Sequence, residues 1–117
     1  MNSEKLLELI VKAADDKRAE DLLVLDVREI SVLADYFVIC HGNSEKQVGA
    51  ITDGVVEAAQ KAGVDVGRVE GREMGKWVLA DLGDVIVHVF HGDERGFYNL
   101  EKLWSDAPSV SITRWVS

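Results

Sequence analysis

The sequence predicts an α/β fold, a single domain in which a mixed five-stranded sheet packs with about three helices. Three observations carry that expectation. Apolar residues recur at helical spacing in separate stretches near the start, the middle and the end of the chain. Between them lie short apolar runs rich in Val, Ile, Leu and aromatic residues, as when both faces of a strand are covered. The connections within the two pairs of strands are too short for a parallel crossover, which makes each pair antiparallel. The domain is expected over residues 1–104, with residues 105–117 as a loosely ordered tail around the only proline, Pro108.

The first helix, over residues 3–18, is read from Leu6, Leu7, Ile10, Val11 and Ala14, with Ser3 as its N-cap. A strand follows at 22–27. After a charged turn at Arg28-Glu29, a second strand at 35–41 is built on Tyr36, Phe37, Val38 and Ile39. Gly42-Asn43 breaks it. Ser44-Glu45-Lys46-Gln47 then reads as a capping box, in which the Ser44 hydroxyl takes the Gln47 N–H and the Gln47 side chain reaches back. Val48, Ile51, Val55, Ala59 and Ala62 form the stripe of the second helix, and Gly63 stops it. Gly49 and Gly54 inside it cost about 1 kcal/mol each relative to Ala, so each marks a close approach or a tolerated gap.

A short strand at 67–71 and a loop through Arg72 and Gly75 lead to the strand 76–81. Leu82-Gly83-Asp84-Val85 is a tight turn with Gly83 at positive φ, and 85–90 is the last strand. Gly92 or Asp93 opens a final helix bearing Phe97, Leu100, Leu103 and Trp104.

Composition excludes several classes of function. The 117 residues are 47% hydrophobic and 29% charged, which is globular rather than disordered. No apolar run approaches the ~20 residues of a membrane span. No secretory signal opens the chain, and the lone Cys40 can form no internal disulfide, so the expected location is the cytoplasm. Lys and Arg number 13 against 21 Asp and Glu, a net charge of −8. Nucleic-acid binding needs clustered cations, so a direct grip on RNA or DNA is not expected. A basic protein surface is the better partner.

The hairpin is the most informative segment. A two-residue turn pairs Trp77 with Phe90, Leu79 with His88 and Asp81 with Ile86, all on one face by strand alternation. The opposite face carries only Val78, Ala80, Val87 and Val89. The mixed face suits an interface, where aromatics and a few polar groups gather. The same pattern also fits half-burial against the last helix, with His88 bonded to a backbone carbonyl, and the alternation leaves both open.

Catalytic and cofactor readings find little support, and no cofactor or metal is expected. Cys40 and His41 are adjacent in a strand and point to opposite faces, so they make no thiol–imidazole pair. His88 and His91 lack further ligands at metal spacing. Gly71-Arg-Glu-Met-Gly75-Lys76 is one residue short of a phosphate loop and puts Trp77 where a hydroxyl is needed. Gly42-Asn43-Ser44 is explained as a turn and a helix cap.

Longer stretches point further. They are Glu20-Asp21-Leu-Leu-Val-Leu-Asp-Val27, Ala34-Asp35-Tyr36-Phe37-Val38-Ile39-Cys40 and Gly42-Asn43-Ser44-Glu45 with Gln47-Val48. Val69-Glu70-Gly71, the whole hairpin from Trp77 to Phe90, and Tyr98-Asn99-Leu100-Glu101-Lys102-Leu103-Trp104 complete the set. Together they resemble the bacterial ribosomal silencing factors, the Iojap family.

The resemblance implies a non-enzymatic factor of nucleotidyltransferase-like topology that lacks the catalytic carboxylates. Such a factor binds the fourteenth protein of the large ribosomal subunit at the face that meets the small subunit. It thereby blocks subunit joining and lowers translation when nutrients are scarce. The positions matching the family's contact region are Trp77, Leu79, Asp81, Leu82, Asp84 and His88. Trp77 and Leu79 would be apolar anchors and the aspartates partners for basic groups. Family members are often homodimers, a further partner expectation that the residues themselves do not establish. The competing readings are a nucleotidyltransferase-like enzyme and a homodimeric adaptor without ribosome binding. Against the enzyme, Asp81 and Asp84 flank a turn three residues apart, not at the alternate-strand spacing that aims two carboxylates at one magnesium.

Overall fold

A computed structural model describes residues 2–92 and 107–116. Helix α1 (Ser3–Asp16) precedes strands β1 (Glu20–Asp26) and β2 (Tyr36–Gly42). Helix α2 (Glu45–Lys61) leads to β3 (Val69–Glu70), β4 (Trp77–Asp81) and β5 (Val85–His91). The strands form one five-stranded sheet in the order β1-β2-β5-β4-β3. Among the described strands only the central β2–β5 pair is parallel, and its crossover carries α2. The β1–β2, β4–β5 and β3–β4 pairs are antiparallel. The mixed sheet is as expected, with two helices among the described residues. The final helix expected from Phe97, Leu100, Leu103 and Trp104 lies outside them.

Alternation sorts the sheet's side chains into two apolar layers. On the helix side, Leu6, Leu7, Ile10, Val11 and Ala14 of α1 and Val48, Ile51, Val55 and Ala59 of α2 meet Val24, Val38, Cys40, Val78, Ala80, Val87 and Val89. Each fully buried Leu, Ile or Val contributes roughly 1.5–3 kcal/mol, so this layer dominates the stability. The opposite layer, among the described residues, holds Leu25, Val27, Ala34, Phe37, Ile39, Ile86, Phe90 and Ala107. Cys40 lies in the first layer and is fully buried, whereas His41 faces the other way and meets Glu20 at 3.2 Å.

Several local expectations are corrected. The N-cap of α1 is Asn2, whose side chain accepts the Lys5 N–H at 2.8 Å; Ser3 is already helical. Ala62 closes α2 as its C-cap and is only half-buried. Strand β3 shrinks to two residues, because Gly71 leaves it at φ +82°. Gly54 is the close approach: a β-carbon there would come within 3.0 Å of the Lys17 side chain, while one at Gly49 would meet nothing. Ser44 caps α2 as expected, with Gln47 N 3.0 Å from its hydroxyl. Gln47 reaches back one residue further than the capping box prescribes, and its Oε1 accepts the Asn43 N–H at 2.7 Å.

The largest correction concerns the tail. Residues 107–116 are tied to β1 rather than loosely attached. The Pro108 carbonyl accepts the Asp26 N–H at 2.9 Å, and Val110 donates to the Val24 carbonyl at 2.8 Å. Ser109 thereby bridges Leu25 in antiparallel fashion. Trp115 is buried in the helix-side layer, with the Arg114 guanidinium 4.4 Å from its ring centre. The cause is physical: an uncovered edge strand presents open N–H and C=O groups, and a proline that cannot donate can still accept from one.

Candidate functional site, the β4–β5 hairpin face

The hairpin register is the expected one. Trp77 pairs with Phe90, Leu79 with His88 and Asp81 with Ile86. The turn that sets it closes through the Leu82 N–H to the Val85 carbonyl at 3.0 Å, with Gly83 at φ +86°. Asp81 stabilises that turn, its Oδ1 accepting the Gly83 N–H at 3.0 Å. The Asp84 carbonyl accepts two N–H groups, from Asp35 at 2.7 Å and Tyr36 at 3.2 Å, so the turn is anchored to the start of β2. The Asp84 side chain stays exposed.

Trp77 is held from two sides. Its indole N–H donates to His88 Nδ1 at 3.2 Å. Its ring stacks on Phe90, with centroids 5.3 Å apart and planes 23° from parallel. Phe37 meets the His88 ring edge-on at 5.4 Å. An accepting Nδ1 places the proton of the neutral imidazole on Nε2. Burial pushes the His88 pKa down from 6.5 to about 4, which keeps the ring neutral and the acceptor available near pH 7.

The six expected contact residues divide into two groups. Trp77, Leu79 and Asp81 are half-buried on one face of β4, with Asp84 exposed beside them. Leu82 and His88 do not belong to that surface. Leu82 is fully buried in the helix-side layer, because the alternation that puts Val78 and Ala80 there extends into the turn. His88 is 3% exposed, because β5 is central and its side chains are covered from both neighbouring strands. A residue of this face that the sequence reading did not single out is Glu70, which pairs with Leu79 across β3 and β4. Together with Gly71, Trp77 and Leu79 it lines a shallow depression. Its only sequence signal was its place in a short strand leading to the hairpin.

The arrangement sets Trp77 and Leu79 on one face with Asp81, with Glu70 paired beside Leu79 and Asp84 exposed in the turn at one end. Apolar centres with polar rims characterise protein-docking surfaces. Elsewhere, at the N-terminus of α2, the Asn43 N–H is bonded to Gln47 and the Gln47 N–H to Ser44, as a helix cap provides. Among the described residues no helix is long and apolar enough to cross a membrane.

Fold and face together define a small α/β protein with a half-buried aromatic and acidic hairpin face. Comparison with known proteins makes the class specific: residues 1–117 match the family described as "Ribosomal silencing factor during starvation". The chain is 55% identical over 117 residues to Ribosomal silencing factor RsfS of Halalkalibacterium halodurans, covering all of both chains. A crystal structure of a Bacillus halodurans protein superposes with a TM-score of 0.84 at 54% identity, covering 93% of this chain and 99% of that one. A more distant relative, 28% identical over 102 residues, is the mouse protein named "Mitochondrial assembly of ribosomal large subunit protein 1". That match covers 85% of this chain and 45% of the mouse protein. The chain belongs to the ribosomal silencing factor family, whose members are non-enzymatic regulators of translation.

Proposed function

We propose that this protein docks through the β4–β5 hairpin face on a protein of the large ribosomal subunit, the fourteenth by standard numbering. Occupying the surface that meets the small subunit, it blocks subunit joining in the cytoplasm and represses translation under nutrient limitation. The observation that carries the reading is Trp77, held by His88 and Phe90 and half-buried on one face with Leu79 and Asp81, with Glu70 paired beside Leu79 and Asp84 exposed in the turn. The family's description and the large subunit in the mouse relative's name agree with it. Trp77 and Leu79 are the anchors, the carboxylates pair with basic groups of the partner, and His88 and Leu82 act from beneath. On this reading the nucleotidyltransferase-like topology is a scaffold for docking.

Co-sedimentation with salt-washed large subunits tests the docking face. Wild type is expected to pellet with the subunits. Trp77→Ala is expected to weaken binding about 30-fold, the ~2 kcal/mol of a central aromatic anchor. Asp81→Lys should weaken it as well, by placing a cation against a basic surface. Wild-type binding that neither substitution affects would remove the hairpin from the interface.

A further inference from the structure

Among the described residues, three of the four most exposed large apolar side chains are gathered on one loop, the fourth being Met74. In the 27–35 connection between β1 and β2, Ile30 is 51% exposed, Leu33 76% and Val32 102%. Apolar side chains in water are ordinary when scattered, but three on one short loop mark an interaction surface.

This loop is a built structure. Ile30 and Ser31 both donate their N–H to the Val27 carbonyl, at 3.1 and 2.8 Å. The Ser31 hydroxyl accepts the Leu33 N–H at 3.1 Å, and Val27 donates to the Asp35 carbonyl at 2.9 Å. The backbone thus holds the apolar side chains outward, and little ordering remains to be done on binding.

Its position joins it to the hairpin. Strands β2 and β5 are parallel, so the loop entering β2 and the turn entering β5 lie at the same end of the sheet. The Asp84 carbonyl couples them by accepting the N–H groups of Asp35 and Tyr36. Charge indicates the occupant. The loop's one cation, Arg28, is paired with Asp26 at 2.6 Å, leaving Glu29, Asp35 and Asp84 as the carboxylates around the apolar residues. A second copy of a chain with net charge −8 would meet like charge there, whereas a basic protein would meet its complement.

We propose that Ile30, Val32 and Leu33 form a second, apolar half of the docking surface, seated on the same basic partner protein that receives the hairpin. The proposal rests on the ribosomal docking described above and extends it to residues outside the hairpin. The double substitution Val32→Ser with Leu33→Ser tests it, since both side chains are solvent-exposed and their loss leaves the core intact.

In co-sedimentation with salt-washed large subunits, the double variant should bind at least tenfold more weakly than wild type, with an unchanged unfolding midpoint. Leu33→Met, which keeps the apolar volume, should stay within about twofold. Wild-type affinity in the double variant, alongside weakened binding by Trp77→Ala, would overturn the loop's role and leave the hairpin docking standing. A double variant that binds normally but loses self-association in sedimentation velocity would assign the loop to a second copy and also overturn the proposal. Failure of wild type itself to pellet would overturn the docking reading and this extension together.

Discussion

His88 shows how one side chain can serve a surface it does not reach. It is buried, yet its Nδ1 fixes the orientation of the half-buried Trp77 indole. Replacing it with Leu leaves the indole N–H without that acceptor and should cost about 1–2 kcal/mol in urea unfolding. His88→Gln, whose side-chain carbonyl can accept, should recover part of the loss. The ring also makes stability depend on pH, with a definite sign. Its folded pKa of about 4 lies below the unfolded value near 6.5. Above pH 6.5 the ring is neutral in both states and the stability is fully present. As pH falls towards 4 the unfolded chain takes up a proton that the folded chain refuses, so stability declines, by about 3 kcal/mol when the fall is complete. Urea titrations at pH 7 and pH 4.5 should show that decline in wild type and its loss in His88→Gln. An equal decline in both would place its origin in other groups.

At the scale of elements, the hairpin was the most legible part of the sequence and the edges of the sheet the least. A two-residue turn with Gly at the positive-φ position fixes the register locally, so every pair from Trp77–Phe90 to Asp81–Ile86 follows from residues close in sequence. The same alternation contains the signal that Leu82 belongs with Val78 and Ala80, a signal outweighed by the position's likeness to a contact region. Alternation left the burial of His88 open, because it depends on β5 being central, and that order is set by a long crossover. The docking of residues 107–116 on β1 was hidden for the same reason: polar composition and a proline describe the segment but not the edge it meets. Strand β3 ends at Gly71, where a β-carbon would collide with the Trp77 carbonyl oxygen and φ is +82°. Gly71→Ala should therefore destabilise the protein by about 1–3 kcal/mol and disturb the adjoining Trp77, measured together by urea unfolding and tryptophan fluorescence.

For the whole molecule, two layers on one sheet divide the work. The helix-side layer carries most of the burial, and Trp115 of the C-terminal segment closes part of it. Trp115→Ala should cost about 3 kcal/mol, which thermal or urea unfolding would register, and a neutral result would mean the segment contributes little. On the opposite side, Trp77 and Leu79 of the proposed docking face pack against the cluster that holds Phe37, Ile39, Ile86 and Phe90. The net charge of −8 acts over the entire surface and should speed association with a basic partner. Raising ionic strength should accordingly lower the association rate far more than it raises the dissociation rate.

On the proposed function, occupying the large subunit prevents joining of the small one. The direct measurement preincubates large subunits with wild type or with the Trp77→Ala, Asp81→Lys double variant, adds small subunits, and follows joined particles by light scattering or sucrose-gradient sedimentation. Wild type should suppress joining in proportion to the fraction of large subunits it occupies, and the double variant should leave joining intact at the same concentration. Full joining on large subunits saturated with wild type would contradict the account.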